Sequence, residues 1–158
     1  MKKLLAFLMV FIIIFLSSCS KESKFGVQQF VERMNKQFDT EYNTNDFLLG
    51  KKGNENILLM TNSNQMITLS LDKDNNIKGI GILLTAEGNI ENAKITYCRM
   101  CSVFTNKDYK EQTEIFDNCD FLSDDINFVD GNSIITVDRF KYTIVSNNYS
   151  ITMFCDKI

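Results

Sequence analysis

Residues 46–85 confine the fold more tightly than any other part of this chain. Four short apolar segments, DFLLG, NILLMT, MITLSLD and IKGIGILLT, are separated by KKGNE, NSNQ and KDNN. Clusters of Asn, Asp and Gly turn the backbone sharply, because Gly adopts positive φ freely and Asn and Asp bond to their own backbone. β-prone segments with such spacers form hairpins, so the stretch predicts a four-stranded meander. In its third segment Ile67, Leu69 and Leu71 alternate with Met66, Thr68 and Ser70, and the first set is expected to face the core. In its fourth, Ile77, Gly79, Gly81 and Leu83 alternate with Lys78, Ile80, Ile82 and Leu84. Gly79 and Gly81 leave one face bare, open to the close approach of a helix or a ligand. Helix packing is the expectation there.

Asp72-Lys73-Asp74-Asn75-Asn76, between the third and fourth segments, matches the first oxygen positions of a calcium loop. Ile77 then stands where an EF-hand needs Gly and Leu83 where it needs Glu. A hairpin turn accounts for the same residues.

On either side of the meander the apolar spacing changes to three and four, the period of a helix. FGVQQFVERMNKQF, residues 25–38, places Phe25, Val27, Phe30, Val31, Met34 and Phe38 on one stripe. Its polar face lacks the basic excess of a membrane-surface helix, so a core helix under the sheet is expected. Residues 89–119 carry Ile90, Ala93, Tyr97, Cys98, Cys101 and Phe104 on a second stripe. After a break at residues 105–107, Tyr109, Gln112, Ile115, Phe116 and Cys119 make a third. Asp108 with Glu111 reads as a capping box with Asp in place of Ser or Thr. SDDINFVDGNS is a polar loop. IITVDRFKYTIVS and YSITMFCDK read as two strands around a turn at Asn147-Asn148. The expected order is helix, four strands, two helices, two strands. That is an α+β domain with an antiparallel sheet of about six strands and helices packed on one face.

The first residues follow a different rule. Lys2 and Lys3 precede an unbroken apolar run from Leu4 through Leu16, and Ser17 and Ser18 are small. The run is short of the roughly 20 residues a membrane-spanning helix needs and has the layout of a secretory leader. Leu16-Ser17-Ser18-Cys19 resembles the bacterial lipobox, Leu-small-small-Cys. The resemblance covers only the leader. It implies a lipoprotein precursor: residues 1–18 are a signal peptide, Cys19 is lipidated and becomes the first mature residue, and residues 19–24 are a tether. Residues 25–158 are then a single domain. Two acyl chains on Cys19 anchor stably where one is marginal. The competing reading, an uncleaved anchor helix, is disfavoured by length.

Charge limits the partners. The chain has 17 basic and 20 acidic side chains. Losing Lys2 and Lys3 with the leader makes the remainder more acidic still. Nucleic-acid binders cluster positive charge and polybasic lipid binders do the same, so neither is expected. The membrane is reached through the lipid on Cys19 alone. The absence of Pro and Trp, the scarcity of Ala, and the abundance of Asn, Ile, Lys and Phe suit AT-rich codons. With the lipobox they point to a low-GC Gram-positive bacterium and to the outer face of its cell membrane.

The chain also has no histidine, which removes the usual imidazole base of Ser and Cys nucleophiles and a ligand common to most catalytic zinc sites. Cys98-Arg99-Met100-Cys101 has the C-x-x-C spacing of thiol oxidoreductases, but it falls in mid-helix, where the dipole lowers a thiol pKa little. Four cysteines, Cys98, Cys101, Cys119 and Cys155, have the number for a structural zinc site but lack its second close pair. They read as buried thiols or as disulfide partners, three pairings being open. Asp124, Asp125 and Asp130 are the carboxylates a hydrolase would use, and a solvated acidic loop explains them equally. No cofactor and no metal is expected. The leading expectation is a lipid-anchored extracytoplasmic domain that binds a protein or peptide at the cell surface. Alternatives are an inhibitor or immunity-type lipoprotein, a carboxylate-dependent hydrolase, and a thiol oxidoreductase.

Overall fold

The structure, a computed structural model, describes residues 25–52, 55–62, 64–85, 87–118 and 130–158. The expected signal peptide, Cys19 and the expected tether, together with Cys119, Asp124 and Asp125, lie outside them. The described residues form an α+β fold with one antiparallel sheet of seven strands and three α-helices. In chain order these are α1 (Val27–Phe38), β1 (Leu48–Lys52), β2 (Glu55–Asn62), β3 (Gln65–Leu71), β4 (Ile77–Thr85), α2 (Ile90–Thr105), α3 (Tyr109–Asp117), β5 (Gly131–Val137), β6 (Phe140–Asn147) and β7 (Ser150–Lys157). A 3-10 turn, Thr44–Asp46, precedes β1.

The expected count of about six strands is one too few, and the last block holds three strands rather than two. The residues read as one strand, IITVDRFKYTIVS, fold back on themselves. Val137 pairs with Phe140 across Asp138-Arg139, and Asp138 takes φ 54°. Asp tolerates that left-handed conformation better than most residues, so the chain turns without the Gly or Asn that normally announces a hairpin. The next turn is also one residue later than expected. Asn147 pairs with Ser150, so Asn148 and Tyr149 form the turn, and Asn147 Oδ1 accepts the Tyr149 N–H at 2.8 Å and the Ser150 N–H at 2.9 Å.

The sheet order is β1-β2-β3-β4-β7-β6-β5. Two meanders, β1–β4 and β5–β7, therefore meet at a central antiparallel seam between β4 and β7, where Ile80 faces Cys155 and Ile82 faces Met153. One side of every inner strand supplies the core. Ile67 and Leu69 of β3, Ile80, Ile82 and Leu84 of β4, Ile151, Met153 and Cys155 of β7, and Tyr142 and Ile144 of β6 are all buried. Burial of each such apolar side chain stabilises the fold by roughly 1.5–3 kcal/mol before the entropy of ordering is subtracted.

The helices lie against that side. Phe30, Val31 and Met34 of α1 are buried in the same cluster, so its stripe is core. A bond from the Ile77 N–H to the Phe25 carbonyl, 2.8 Å, ties the approach to α1 to the start of β4. Asn89 caps α2 by accepting the Asn92 N–H at 2.8 Å, and Asn106 ends it at φ 57°. Beyond the expected stripe, Met100, Ser102, Val103 and Thr105 are also buried, because α1 and α3 both pack against α2 in addition to the sheet. Phe104 reaches Phe140 edge-on at 5.4 Å. Asp108 caps α3 through the Lys110 N–H at 2.7 Å. The reciprocal arm of the expected capping box is absent from the bonds Glu111 makes: its carboxylate holds Lys107 at 2.6 Å, and the same ammonium holds Asp138 at 2.8 Å. That shared lysine joins the α2–α3 turn to the β5–β6 turn.

Candidate functional site

The other side of the sheet carries no helix among the described residues, and it is the broadest candidate surface. Register makes it a set of straight rows. Leu48, Leu59, Thr68, Gly81, Phe154, Thr143 and Ile134 stand side by side from β1 to β5. The neighbouring row runs Thr61, Met66, Leu83, Thr152, Val145 and Asn132. Neither row contains a charge. Charge enters only in the third row, where Lys141 of β6 stands opposite Asp156 of β7. Leu48, Ile134 and Val145 are exposed, while Leu59, Met66, Leu83 and Phe154 are half-buried by their neighbours. Seven strands spaced about 4.8 Å apart make this face about 30 Å wide, and three rows make it about 20 Å tall. At about 600 Å² it approaches the ~800 Å² each partner contributes to a standard protein interface.

Gly79 and Gly81 lie on this open side, which corrects the expectation that a helix packs against them. Side chains of adjacent strands fill the gap instead. A Cβ at Gly81 would overlap the Phe154 ring and Thr68 Oγ1, and one at Gly79 would overlap the Asp156 carboxylate. The glycines let Phe154 lie down across the sheet.

The turn between β3 and β4 is closed by its own aspartate. Asp72 Oδ1 accepts the N–H groups of Asp74 and Asn76, each at 2.8 Å, and Oδ2 accepts Asn76 Nδ2 at 3.0 Å. These bonds, led by that from the Asn76 side chain, hold its carboxyl below the ordinary range.

Cys98, Cys101 and Cys155 sit on the covered side as free, buried thiols. Cys98 and Cys101 occupy the middle of α2, away from the helix N-terminus. Burial pushes Cys98 up to about 12, an effect that nearby Lys94 opposes only in part. Cys101, beside Cys155 and Tyr97, is also raised well above its ordinary value, chiefly by burial. Thiols held neutral in this way are poor nucleophiles. Among the described residues no three His, Cys, Asp or Glu side chains are grouped to hold a metal. Asp130, the one described member of the three loop carboxylates, is exposed just before β5.

A shallow cleft between α3 and the β5–β6 end of the sheet has a cavity volume of only about 10 Å³, room for about one water, and is lined by Tyr97, Gln112, Phe116 and Tyr142 among others. It is smaller than the roughly 300–1,000 Å³ of typical ligand pockets, and its polar groups are engaged. Tyr142 donates to Gln112 Oε1 at 3.0 Å, Gln112 Nε2 donates to Thr105 Oγ1 at 3.3 Å, and Tyr97 donates to the Phe154 carbonyl at 2.8 Å. These bonds fasten α2 and α3 to the sheet.

The open face was not visible as a site in the sequence. Its signal was present strand by strand: β2, β4, β6 and β7 each carry apolar residues at both parities. Register alone assembles Leu59, Leu83, Phe154, Val145 and Ile134 into one surface. No helix among the described residues is long and apolar enough to cross a membrane. No family model, curated protein or solved structure matches this chain.

Proposed function

We propose that this chain is an extracytoplasmic binding domain, held to the outer face of the cell membrane by lipid on Cys19, that docks a protein or peptide of the cell surface on the open side of its sheet. One observation carries the docking half of this reading: two adjacent rows of uncharged side chains, one crossing all seven strands and the next crossing the six from β2 to β5, have no helix over them among the described residues. Large apolar patches on a folded surface mark interaction sites, and interface centres are depleted of charge. The anchoring half rests on Leu16-Ser17-Ser18-Cys19 and the apolar run before it. The buried, neutral thiols offer no activated nucleophile, which favours binding over thiol chemistry.

The two halves are tested separately. Cys19→Ala is expected to release the protein from the membrane fraction or to stall its processing. Native membrane-bound protein whose Cys19 is unmodified by mass spectrometry would end the lipid-anchor reading. For docking, a photo-crosslinking amino acid is placed at Met66 or Val145 on the open face and, as a control, at Glu114 on α3. Discrete adducts on intact cells are expected from the two sheet positions and not from Glu114. Adducts from Glu114 alone, or from none of the three, would remove the open face as the binding site.

A further inference from the structure

The two edges of the sheet are built differently. β1 is five residues long, with Gly50 at its centre and Lys51 and Lys52 at its end. Short length and lysine are common defences of an edge against pairing with another chain. β5, at the opposite edge, is seven residues long and reads GNSIITV, with no charge and no proline. Its pairing with β6 runs from Gly131 to Val137 without a bulge, so nothing twists it aside. Ile134, at its midpoint, is 56 % exposed. Among the described residues no strand pairs with its outer edge.

We propose that β5 pairs with β5 of a second copy of this chain, antiparallel about a two-fold axis at Ile134, so that two seven-stranded sheets become one. The strand is self-complementary about that point. Ile134 meets Ile134 of the second copy, and Asn132 meets Thr136 on each side of it, all on the open face. On the covered face Ser133 meets Ile135.

Backbone phase selects the same axis. Val137 and Phe140 close a two-residue turn and so form a hydrogen-bonded pair, which leaves Asn132, Ile134 and Thr136 with N–H and C=O turned outward. A two-fold at Ile134 matches these residues to each other and supplies about six backbone hydrogen bonds. An axis at Ser133 or Ile135 would set groups already bonded to β6 against one another.

Charge permits the contact as well. Each copy is net negative, yet the paired strands contribute no charge. Asp130 comes opposite Asp138 at each end, and the Asp138 carboxylate is already held by Lys107 at 2.8 Å. The uncharged rows then continue from one copy into the other, and the docking face doubles in width.

Sedimentation of the full chain in detergent tests this, with Ile134→Lys as the variant. The wild type is expected to be a dimer. Two lysines meeting across the axis should raise the dimer dissociation constant by at least about tenfold, with the circular dichroism spectrum unchanged. Ile134→Cys gives a second measurement that survives misfolding of the first variant. Mild oxidation should yield a covalent dimer that is absent from the wild type and from Leu48→Cys. A wild type that stays monomeric at all concentrations, a dimer indifferent to Ile134→Lys, or cross-linking through Leu48→Cys instead would overturn the proposal.

Discussion

The two sides of this sheet are made of similar residues and do opposite things. On the covered side Leu69, Ile80, Ile82 and Met153 are at most 1 % exposed, because α1, α2 and α3 bring their own apolar stripes against them. On the open side Leu59, Leu83, Phe154 and Ile134 stand in rows just as regular, with only neighbouring side chains among the described residues to shield them. Composition does not separate the two sets. What separates them is the presence of a partner layer, and that is why the open side reads as a surface awaiting one. Stability is carried by the covered side, and recognition is proposed for the open side.

The sharpest way to break the comparison uses adjacent residues of β4. Ile82→Asp buries an unpaired carboxylate in the core and is expected to cost upwards of about 4 kcal/mol, enough to unfold a marginal domain. Leu83→Asp, one residue on, is expected to stay folded at a cost of about 1 kcal/mol, while weakening any docking on the open face. Urea midpoints of the two variants make the test; equal collapse would mean the open side is core after all.

Alkaline titration probes the covered side next. Cys98 ionises from its ordinary value of 9.0 in the unfolded chain but only near about 12 in the fold. The unfolded state therefore releases its proton first. The contribution is intact below pH 9 and drains away as pH rises to 12, at about 1.4 kcal/mol per unit, on the order of 4 kcal/mol in all. Melting temperatures across that window should fall less steeply in Cys98→Ala than in the wild type. Identical slopes would show that the thiol is not shut away behind α2. The smallest effect belongs to the open side. Gly81→Ala forces the Phe154 ring to tilt away from the sheet and should cost about 1–2 kcal/mol, with most of that recovered when Phe154→Ala is combined with it. A cost untouched by the second substitution would place the strain against Thr68 rather than under the ring.

Much of the covered side could be read from the sequence, and little of the open side could. β4 begins and ends where the pattern IKGIGILLT places it, because Asn and Asp clusters mark the turn before it and Ile80, Ile82 and Leu84 alternate along it. The α1 stripe and the cap at Asp108 were equally plain, since both depend on local spacing. Asp138-Arg139 was missed because two charged residues interrupt an alternating pattern no more than an exposed strand pair does. The role of Gly81 was misread for a different reason. A bare glycine shows that something approaches closely, and only the register with Phe154 identifies it as a neighbouring strand and not a helix. Within the candidate site the apolar residues were visible singly. Their alignment depends on pairing between segments as distant in the chain as β1 and β5, and no local rule supplies that.

The seam between β4 and β7 also has a bearing on time. Each meander needs only hairpin contacts between consecutive strands, and hairpins close in microseconds. Ile82 and Met153 meet only after α2, α3, β5 and β6 have been gathered between them, and closing so long a loop costs entropy before any contact repays it. The chain has no proline, so no slow peptide-bond isomerisation lies over that step. On these grounds the joining of the two halves at β4 and β7 is expected to set the pace of folding, and the inner edges of both halves are expected to be unpaired until it occurs.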